Sequence, residues 1–371
     1  MKTCTRCLYD ESIEGITFDE NGVCNYCHLH DRLEREYPKD RQWLKKNAAQ
    51  FYAEGKPFDV IVGFSGGCDS SFLLWETVRA GLRPLAVQVD NFWNEPIAYE
   101  NMKKVTDGLH VPLEVVYPPR REFHEAYRAF FFSGTTDTEA VADLSFKAAL
   151  YDVAEKYGCK TIFIGHSFRT EGISPLGWLY FDDRYMRDVA AKYGRRCTFK
   201  LLPRLTLWNQ FRWGVLKRIR TVKPLWYIDH DKEETKKALE REFGCKWYGG
   251  HHLENMLTAF YHSYWMPKRR GIDQRRNGLS ALVRSGQISR DCALAELAVP
   301  PEVDEGWIDR ICEGFDIKRD EWPRIEDGPV KSYRQYKTYK ELFHRLRWFI
   351  APLALAGLAS KSFYEKYCKG I

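Results

Sequence analysis

The run Gly63-Phe64-Ser65-Gly66-Gly67-Cys68-Asp69-Ser70-Ser71 gathers the residue types that grip a phosphate. Gly66 and Gly67 let the backbone approach an anion without interference from a Cβ. Ser65, Ser70 and Ser71 add hydroxyl donors, and Asp69 is of the type that holds Mg²⁺ beside phosphates. The apolar residues 60–62 read as a buried parallel strand, and Phe72-Leu73-Leu74-Trp75-Glu76 begins a helix. A strand, a glycine turn and a helix start leave unpaired amides at the positive end of the helix dipole, a ready anion site. No Gly-Lys-Ser/Thr follows, so the order is not the Walker pattern. Cys68, inside the loop, reads as a packing residue and not as a nucleophile.

A second constellation lies at the start of the chain. Cys4, Cys7, Cys24 and Cys27 form C-x₂-C-x₁₆-C-x₂-C, two close pairs that can each clamp one side of a tetrahedral Zn²⁺. Residues 16–18 and the turn 20–22 between the pairs read as a short hairpin. Four thiolates close the coordination shell, which points to a structural site. Asp10, Glu11, Glu14, Asp19 and Glu20 make this knuckle acidic, which argues against a nucleic-acid finger.

These groups must be positioned by the elements around them. A charged helical connector is expected over 29–54, broken by Gly55-Lys56-Pro57. Strands are expected at 60–62, 84–89, 113–117, 161–164 and near 223–225, and helices at 71–80, 96–109, near 123–132 and at 141–157, the last capped by Gly158. This alternation predicts an α/β fold with a doubly wound parallel sheet. Ligands of such sheets sit at the carboxyl ends of the strands. Asp90 and Gly165-His166 fall at two of those ends; Asp90 is either a ligand contact or a helix cap. From about 247 the chain turns basic, with short helices. Three regions are expected: a knuckle and connector over 1–54, an α/β domain over 55–246 and a basic helical region over 247–371.

With 57 basic and 51 acidic residues the net charge is +6, mild enough to suit small anions and not demanding nucleic acid. Eleven cysteines with no secretion signal fit metal or free thiols in a cytoplasmic protein. The apolar run 348–359 is too short to cross a bilayer and contains Pro352, so no transmembrane segment is expected. The block Lys268, Arg269, Arg270, Arg275, Arg276, flanked by Tyr261, Tyr264 and Trp265, is either a solvated face or a phosphate and sugar grip. Asp182-Asp183-Arg184 is a further candidate contact. His251, His252 and His262 offer a second metal site or polar core positions.

The loop resembles the pyrophosphate loop (PP-loop) of the ATP pyrophosphatases, which release pyrophosphate and leave AMP on a substrate oxygen. Further markers are the cysteine pairs, Gln88-Val89-Asp90-Asn91-Phe92-Trp93-Asn94 and Gly165-His166-Ser167-Phe168-Arg169-Thr170-Glu171-Gly172. Tyr248-Gly249-Gly250-His251-His252-Leu253-Glu254, Pro267-Lys268-Arg269-Arg270-Gly271-Ile272-Asp273, Arg275-Arg276 and Ser285-Gly286-Gln287-Ile288-Ser289-Arg290 complete them. With these, nearly the whole chain resembles the N-acetyl sugar amidotransferase family of bacterial surface-polysaccharide and nonulosonate biosynthesis. It departs from that family at Gln88 and Phe92, where histidine and glycine are commoner.

The resemblance implies ATP, Mg²⁺ and a structural Zn²⁺, and an acetamido oxygen that accepts AMP before ammonia displaces it to leave an acetamidino sugar. ATP would be held by Phe64, Ser65, Gly66, Gly67, Cys68, Asp69, Ser70, Ser71, Asp90, Gly165 and His166. Asp69, His166, Arg169 and Glu171 would be catalytic, and Lys268, Arg269, Arg270, Arg275 and Arg276 would bind a nucleotide sugar. Ammonia is expected from a separate glutaminase working with a cyclase-like subunit, and homo-oligomerisation is compatible with the sequence. Two other readings stand beside this one: a PP-loop tRNA-modifying enzyme (thiolation or lysidine-type), disfavoured by the modest charge and the lack of a further Cys-x-x-Cys among Cys159, Cys197, Cys245, Cys292 and Cys312, and a non-enzymatic zinc-ribbon nucleotide-binding regulator.

Overall fold

A computed structural model describes residues 2–175, 178–195, 199–247, 253–355 and 364–368. Its centre is a parallel five-stranded sheet of order β3-β2-β1-β4-β5. The strands are β1 (Val60–Gly63), β2 (Pro84–Val89), β3 (Leu113–Val116), β4 (Thr161–Phe163) and β5 (Arg220–Val222). β1 pairs with β2 through Val60↔Pro84 and with β4 through Ile61↔Ile162. Val60 and Val62 join one core cluster and Ile61 another, so both faces of the sheet are covered. Burial on both sides is why β1, at the centre of the sheet, is apolar throughout and not alternating.

The principal helices are α1 (Asn25–Glu36), α2 (Cys68–Arg79), α3 (Pro96–Leu109), α4 (Arg120–Ser133), α5 (Ala140–Tyr157), α6 (Asp183–Tyr193), α7 (Lys232–Phe243), α8 (Arg275–Arg284), α9 (Arg290–Ala298) and α10 (Trp307–Gly314). α5 ends at Gly158 with φ 68°, the left-handed cap the sequence signals. Three expectations shift. α2 begins at Cys68, inside the loop, not at 71. The fifth strand lies at Arg220–Val222, because Pro224 opens a 3₁₀ turn where the strand was expected. The expected connector helix over 29–54 is interrupted after Glu36, since Pro38 disfavours helical backbone at Tyr37.

The chain places β1, β2 and β3 in one direction and then returns to set β4 on the other side of β1. The direction of winding therefore reverses between β1 and β4, and a crevice opens at their carboxyl ends. The C-terminal helices do not stand apart: Trp265, Phe315 and Trp322 share one core with Phe123, Phe130 and Phe131 of α4. Among the described residues no helix is long and apolar enough to cross a membrane.

Candidate functional site: a glycine loop at the sheet reversal

The chain leaves β1 at Gly63 and turns into α2 through residues 64–67. The Phe64 amide still bonds to Val87 O at 2.9 Å, which holds the loop to β2. Gly66 takes φ 77°, and a Cβ there would lie 2.7 Å from Met102 Cγ and 2.8 Å from Ala98 O. The turn is stapled from within. The Ser65 amide donates to Ser70 Oγ at 3.3 Å, the Gly67 amide to Ser65 Oγ at 3.3 Å, and Ser70 Oγ–H to Gly67 O at 3.2 Å. Ser65 is exposed and Gly67 half-buried, so this rim of the loop meets solvent. Ser71 Oγ is buried without a hydrogen-bond partner. Gly165 brings β4 against the start of α2: a Cβ there would lie 3.0 Å from both Cα and N of Ser70. The expected loop residues and Gly165 thus meet at one place, at the winding reversal. Such a turn offers amides, hydroxyls and a helix start to an anion.

Asp69 does something other than expected. Its Oδ1 lies 3.0 Å from His230 Nε2 and its Oδ2 3.6 Å from Lys232 Nζ. Burial opposes its ionisation, but Lys232 and His230 outweigh this and hold the carboxyl well below its ordinary range. A carboxylate engaged by an ammonium and an imidazole is poorly suited to hold Mg²⁺. It anchors α7 to the loop instead. Asp69→Asn should therefore destabilise the whole protein by about 1–3 kcal/mol, because it removes the charge partner of His230 and the carboxylate beside the half-buried Lys232. Chemical denaturation checks this; a variant as stable as wild type would contradict the pairing.

Cys68 keeps its packing role. Its Sγ faces Lys232 O at 3.8 Å, and burial followed by the Asp69 charge raises its thiol well above the ordinary value. Asp90 is also buried. Its Oδ1 accepts from the Phe92 amide at 2.7 Å and its Oδ2 from the Tyr99 hydroxyl at 2.6 Å. It shapes the turn before α3 and does not cap that helix, whose N-cap is Glu95. That turn holds Phe92 at φ 70°, the region glycine enters freely and an L-residue enters at a cost of about 1–2 kcal/mol. The Phe92 ring packs near His124, 5.7 Å between centroids, and Arg120 lies 5.5 Å over its face.

The loop after β4 carries the other candidates. Trp226 Nε1–H donates to His166 Nδ1 at 3.2 Å, which leaves the ring proton on Nε2. His166 Nε2 lies 4.0 Å from Glu171 Oε2. Burial, then the charges of Lys223 and Lys147, pull the His166 pKa down to about 3. His166 is therefore a neutral N–H donor at pH 7. The Glu171 charge also acts on Lys223 and Lys232.

Arg169 is not there. Its buried guanidinium bonds Glu34 of α1 at 2.7 Å through both Nε and Nη2, and also Tyr37 O at 2.7 Å and Trp226 O at 2.6 Å. With its donors so engaged it cannot stabilise an α-phosphate, and it is a positioning residue for the 165–171 loop. Burial alone would raise the Glu34 carboxyl, yet His30 and Arg169 hold it at about 2 against an ordinary 4.5. A depressed carboxylate contributes stability above its unfolded pKa and loses it as pH falls through the folded value. Wild type should therefore lose part of its stability between about pH 4.5 and 2, and Arg169→Met should largely lose that acid-dependent part. Melting measured against pH checks it; parallel curves would refute the clamp.

The basic block expected to grip a sugar nucleotide is largely spent on the fold. Arg269 is buried and donates to Glu326 O and Gly328 O, both at 2.6 Å. Arg275 pairs with Asp273 at 2.7 Å and reaches Val299 O at 2.8 Å, tying α8 to the end of α9. Arg276 binds Asp10 and, at 3.2 Å, Leu8 O of the knuckle. Lys268 lies 4.0 Å from Asp327, and Arg270 acts on the buried Tyr261. Main-chain carbonyls supplied by distant segments consumed these cations, and no local pattern shows that. Asp182 caps α6 and Asp183 pairs with Arg204, so this acidic pair is structural too. His251 and His252 lie outside the described residues.

The four cysteines come together as expected. Cys4–Cys27 Sγ atoms are 3.8 Å apart, and Cys7–Cys24 and Cys24–Cys27 are 3.7 Å apart. Zn–S bonds of about 2.3 Å give a tetrahedral edge of about 3.8 Å, so the set fits Zn²⁺. The amides of Arg6, Cys7 and Cys24 point at Cys4 Sγ from 3.4, 3.5 and 3.3 Å. Arg284, which the sequence did not single out, donates to Cys7 Sγ at 3.1 Å and Cys27 Sγ at 3.4 Å, offsetting the charge of four thiolates. His230, Lys232, Lys223, Lys147 and Trp226 were missed as well. The run Asp229-His230-Asp231-Lys232, a polar stretch opening a helix after the last strand, was the available signal.

The fold and loop define the class: a doubly wound α/β protein with a PP-loop-like strand–loop–helix and a four-cysteine knuckle. Residues 254–349 match the family model described as LPS biosynthesis protein WbpG-like, C-terminal domain. No curated protein matches the chain. Among solved structures, a predicted tRNA methyltransferase subunit from Methanocaldococcus jannaschii is 16% identical, covering 49% of this chain and 75% of that one, at TM-score 0.29. NMN synthetase from Francisella tularensis is 13% identical, covering 79% and 95%, at TM-score 0.33. Glutamine-dependent NAD⁺ synthetase from Acinetobacter baumannii is 13% identical, covering 87% and 53%, at TM-score 0.27. Overlaps this loose carry no argument about chemistry.

Proposed function

We infer that this protein is an ATP-dependent amidotransferase that converts the acetamido group of a sugar into an acetamidino group. The observation that carries the reading is the self-stapled glycine loop at the sheet reversal, with Gly165 packed against it and a neutral His166 beside it. The match of residues 254–349 to a lipopolysaccharide-biosynthesis domain favours a sugar as the acceptor.

In the proposed reaction the acetamido oxygen bonds to the α-phosphorus of ATP as the bond to pyrophosphate breaks. Loop amides and the helix start stabilise the departing charge. The neutral His166 N–H donates a hydrogen bond to oxygen without carrying a proton into the step. Ammonia then bonds to the imidate carbon, AMP leaves with its oxygen, and nitrogen releases a proton to water. Ammonia from a separate glutaminase with a cyclase-like subunit, and a nucleotide-linked sugar for surface polysaccharide, belong to the same proposal.

ATP–pyrophosphate exchange tests it. Exchange that depends on an N-acetylated nucleotide sugar, and AMP release on adding ammonium, is the expected result. Exchange that depends on tRNA and ignores every sugar would refute it.

A further inference from the structure

Ten of the chain's 57 basic residues, and none of its 51 acidic ones, fall in residues 189–228. The rest of the chain is therefore net acidic, and the positive balance of the protein belongs to this segment. Within it lie the short helix Leu207–Phe211 and the π turn Arg212–Leu216 that continues it. The helix starts on Thr206, whose side chain accepts from the Asn209 amide at 3.0 Å. Trp213 anchors the turn: it is buried, stacks on Tyr151 with 5.0 Å between centroids, and donates to Glu155 at 3.1 Å. Trp208, Phe211 and Val215, spaced by three and four, are instead 64%, 45% and 58% exposed, and Leu216 is 57% exposed. The Trp208 and Phe211 rings lie 5.8 Å apart. Leu201, 74% exposed, joins them from the preceding loop, where it lines a cavity of about 410 Å³ together with Asn209 of the helix.

Acidic residues of other elements engage part of the charge. Arg204 pairs with Asp183 at 2.7 Å, Arg212 with Glu155 at 3.1 Å, and Lys217 lies 3.4 Å from Glu155. Lys200 and Arg218 are exposed and form no ion pair among the described residues. Val215-Leu216-Lys217-Arg218 are four consecutive exposed residues, two apolar and two cationic. Single exposed apolar residues are ordinary, but five in one segment mark a contact surface. The charge selects the occupant. A second copy docked across a two-fold axis would set these cations against their own like. Nucleic acid would meet the cations and stack on the rings, yet offers little to the aliphatic Leu201, Val215 and Leu216. A bilayer with anionic headgroups suits all of them: apolar side chains enter the acyl boundary, an indole sits at headgroup level, and the cations meet lipid phosphates.

We propose that Leu201, Trp208, Phe211, Val215 and Leu216, with Lys200 and Arg218, dock this protein on the surface of an anionic membrane. The contact is peripheral, since among the described residues no helix is long and apolar enough to cross a bilayer. Shallow insertion of a few side chains, or attraction of a few cations, gives weak and reversible binding alone; the two act together here. The inference does not rest on the proposed function, because none of these residues belongs to the glycine loop or to the loop after β4.

Flotation of the full chain with phosphatidylcholine vesicles that contain phosphatidylglycerol, and with vesicles of phosphatidylcholine alone, tests the surface. Wild type should float with the anionic vesicles, release as salt rises, and bind the neutral ones at least about tenfold more weakly. Trp208→Ser/Phe211→Ser and Lys200→Glu/Arg218→Glu should each lower partition into anionic vesicles by about tenfold or more, with wild-type melting. Trp348→Ser/Phe349→Ser, at another exposed aromatic pair, is the control and should float as wild type does. Wild type that does not float with anionic vesicles at low salt overturns the proposal. So does loss of flotation in the control with none in Trp208→Ser/Phe211→Ser. Self-association or tRNA binding that Trp208→Ser/Phe211→Ser abolishes, in a protein that does not float, overturns it too and gives the face to that partner. If Trp208→Ser/Phe211→Ser does not fold, Lys200→Glu/Arg218→Glu, at two exposed positions, decides by the same measurement.

Discussion

Gly66→Ala should reduce ATP–pyrophosphate exchange by a hundredfold or more while the protein stays folded. Two independent costs fall on that methyl group. A residue with a side chain at φ 77° pays about 1–2 kcal/mol for the left-handed region. The new Cβ would also sit 2.8 Å from Ala98 O, a backbone atom of α3 that cannot rotate away, and 2.7 Å from Met102 Cγ. The loop relieves both by moving off α3, and that shifts the Gly67 amide and Ser65, which form its exposed rim. A displacement near 1 Å is enough to cost about two orders of magnitude in a reaction that depends on alignment. The global penalty is smaller, because the strands of the sheet are untouched. Exchange assays paired with thermal melting check this. Activity within threefold of wild type would show that the loop does not hold the nucleotide.

Cys4→Ser should remove the zinc and lower the melting temperature by about 10 °C or more, since a structural metal site contributes folding free energy directly. Cys4 receives three backbone amides, so its loss strips the site of its best-supported thiolate. The effect reaches the candidate active site by a traceable route. α1 starts at Asn25, between the third and fourth cysteines, and carries Glu34, which clamps Arg169 in the loop after β4. Arg276 and Arg290 fasten the other side of the knuckle, bonding to Asp10, Cys7 O and Cys4 O. Losing the metal should therefore lower AMP formation by releasing the 165–171 loop, although none of the four knuckle cysteines lies in that loop. Metal analysis, melting and exchange activity on one preparation check the chain of effects. A zinc-free variant with wild-type melting would show the knuckle to be dispensable.

The Ser65–Ser71 loop and the cysteine quartet were legible because their chemistry is local. A glycine turn at a strand end and two Cys-x-x-Cys pairs need only a few neighbouring residues to define a geometry. The sheet was legible for a related reason: strands buried on both faces must be largely apolar, and Val60–Gly63 and, apart from Gln88, Pro84–Val89 are. Asp90 and Arg169 looked like ligand contacts because charged residues at strand ends often are. Asp90 is taken up locally, by the Phe92 amide two residues on and by Tyr99 of the next helix, whereas the partners of Arg169, Glu34 and two carbonyls, come from elements that only folding brings near.

The same reasoning governs the cations. Sequence displayed five basic residues in a cluster at 268–276 and suggested a grip for phosphate. Tertiary structure gives Arg269, Arg275 and Arg276 to carbonyls and to Asp273 and Asp10, and leaves the ammoniums of Lys147 and Lys223 over the rings of Phe181 and Trp226. Charge is a property of the residue, but whether that charge remains available depends on which acceptors the fold delivers to it. By itself the sequence determined the strand–loop–helix and the four-cysteine knuckle. The winding order, which sets β4 beside β1 and carries Gly165, His166 and Lys223 to one edge, decided which residues surround the loop.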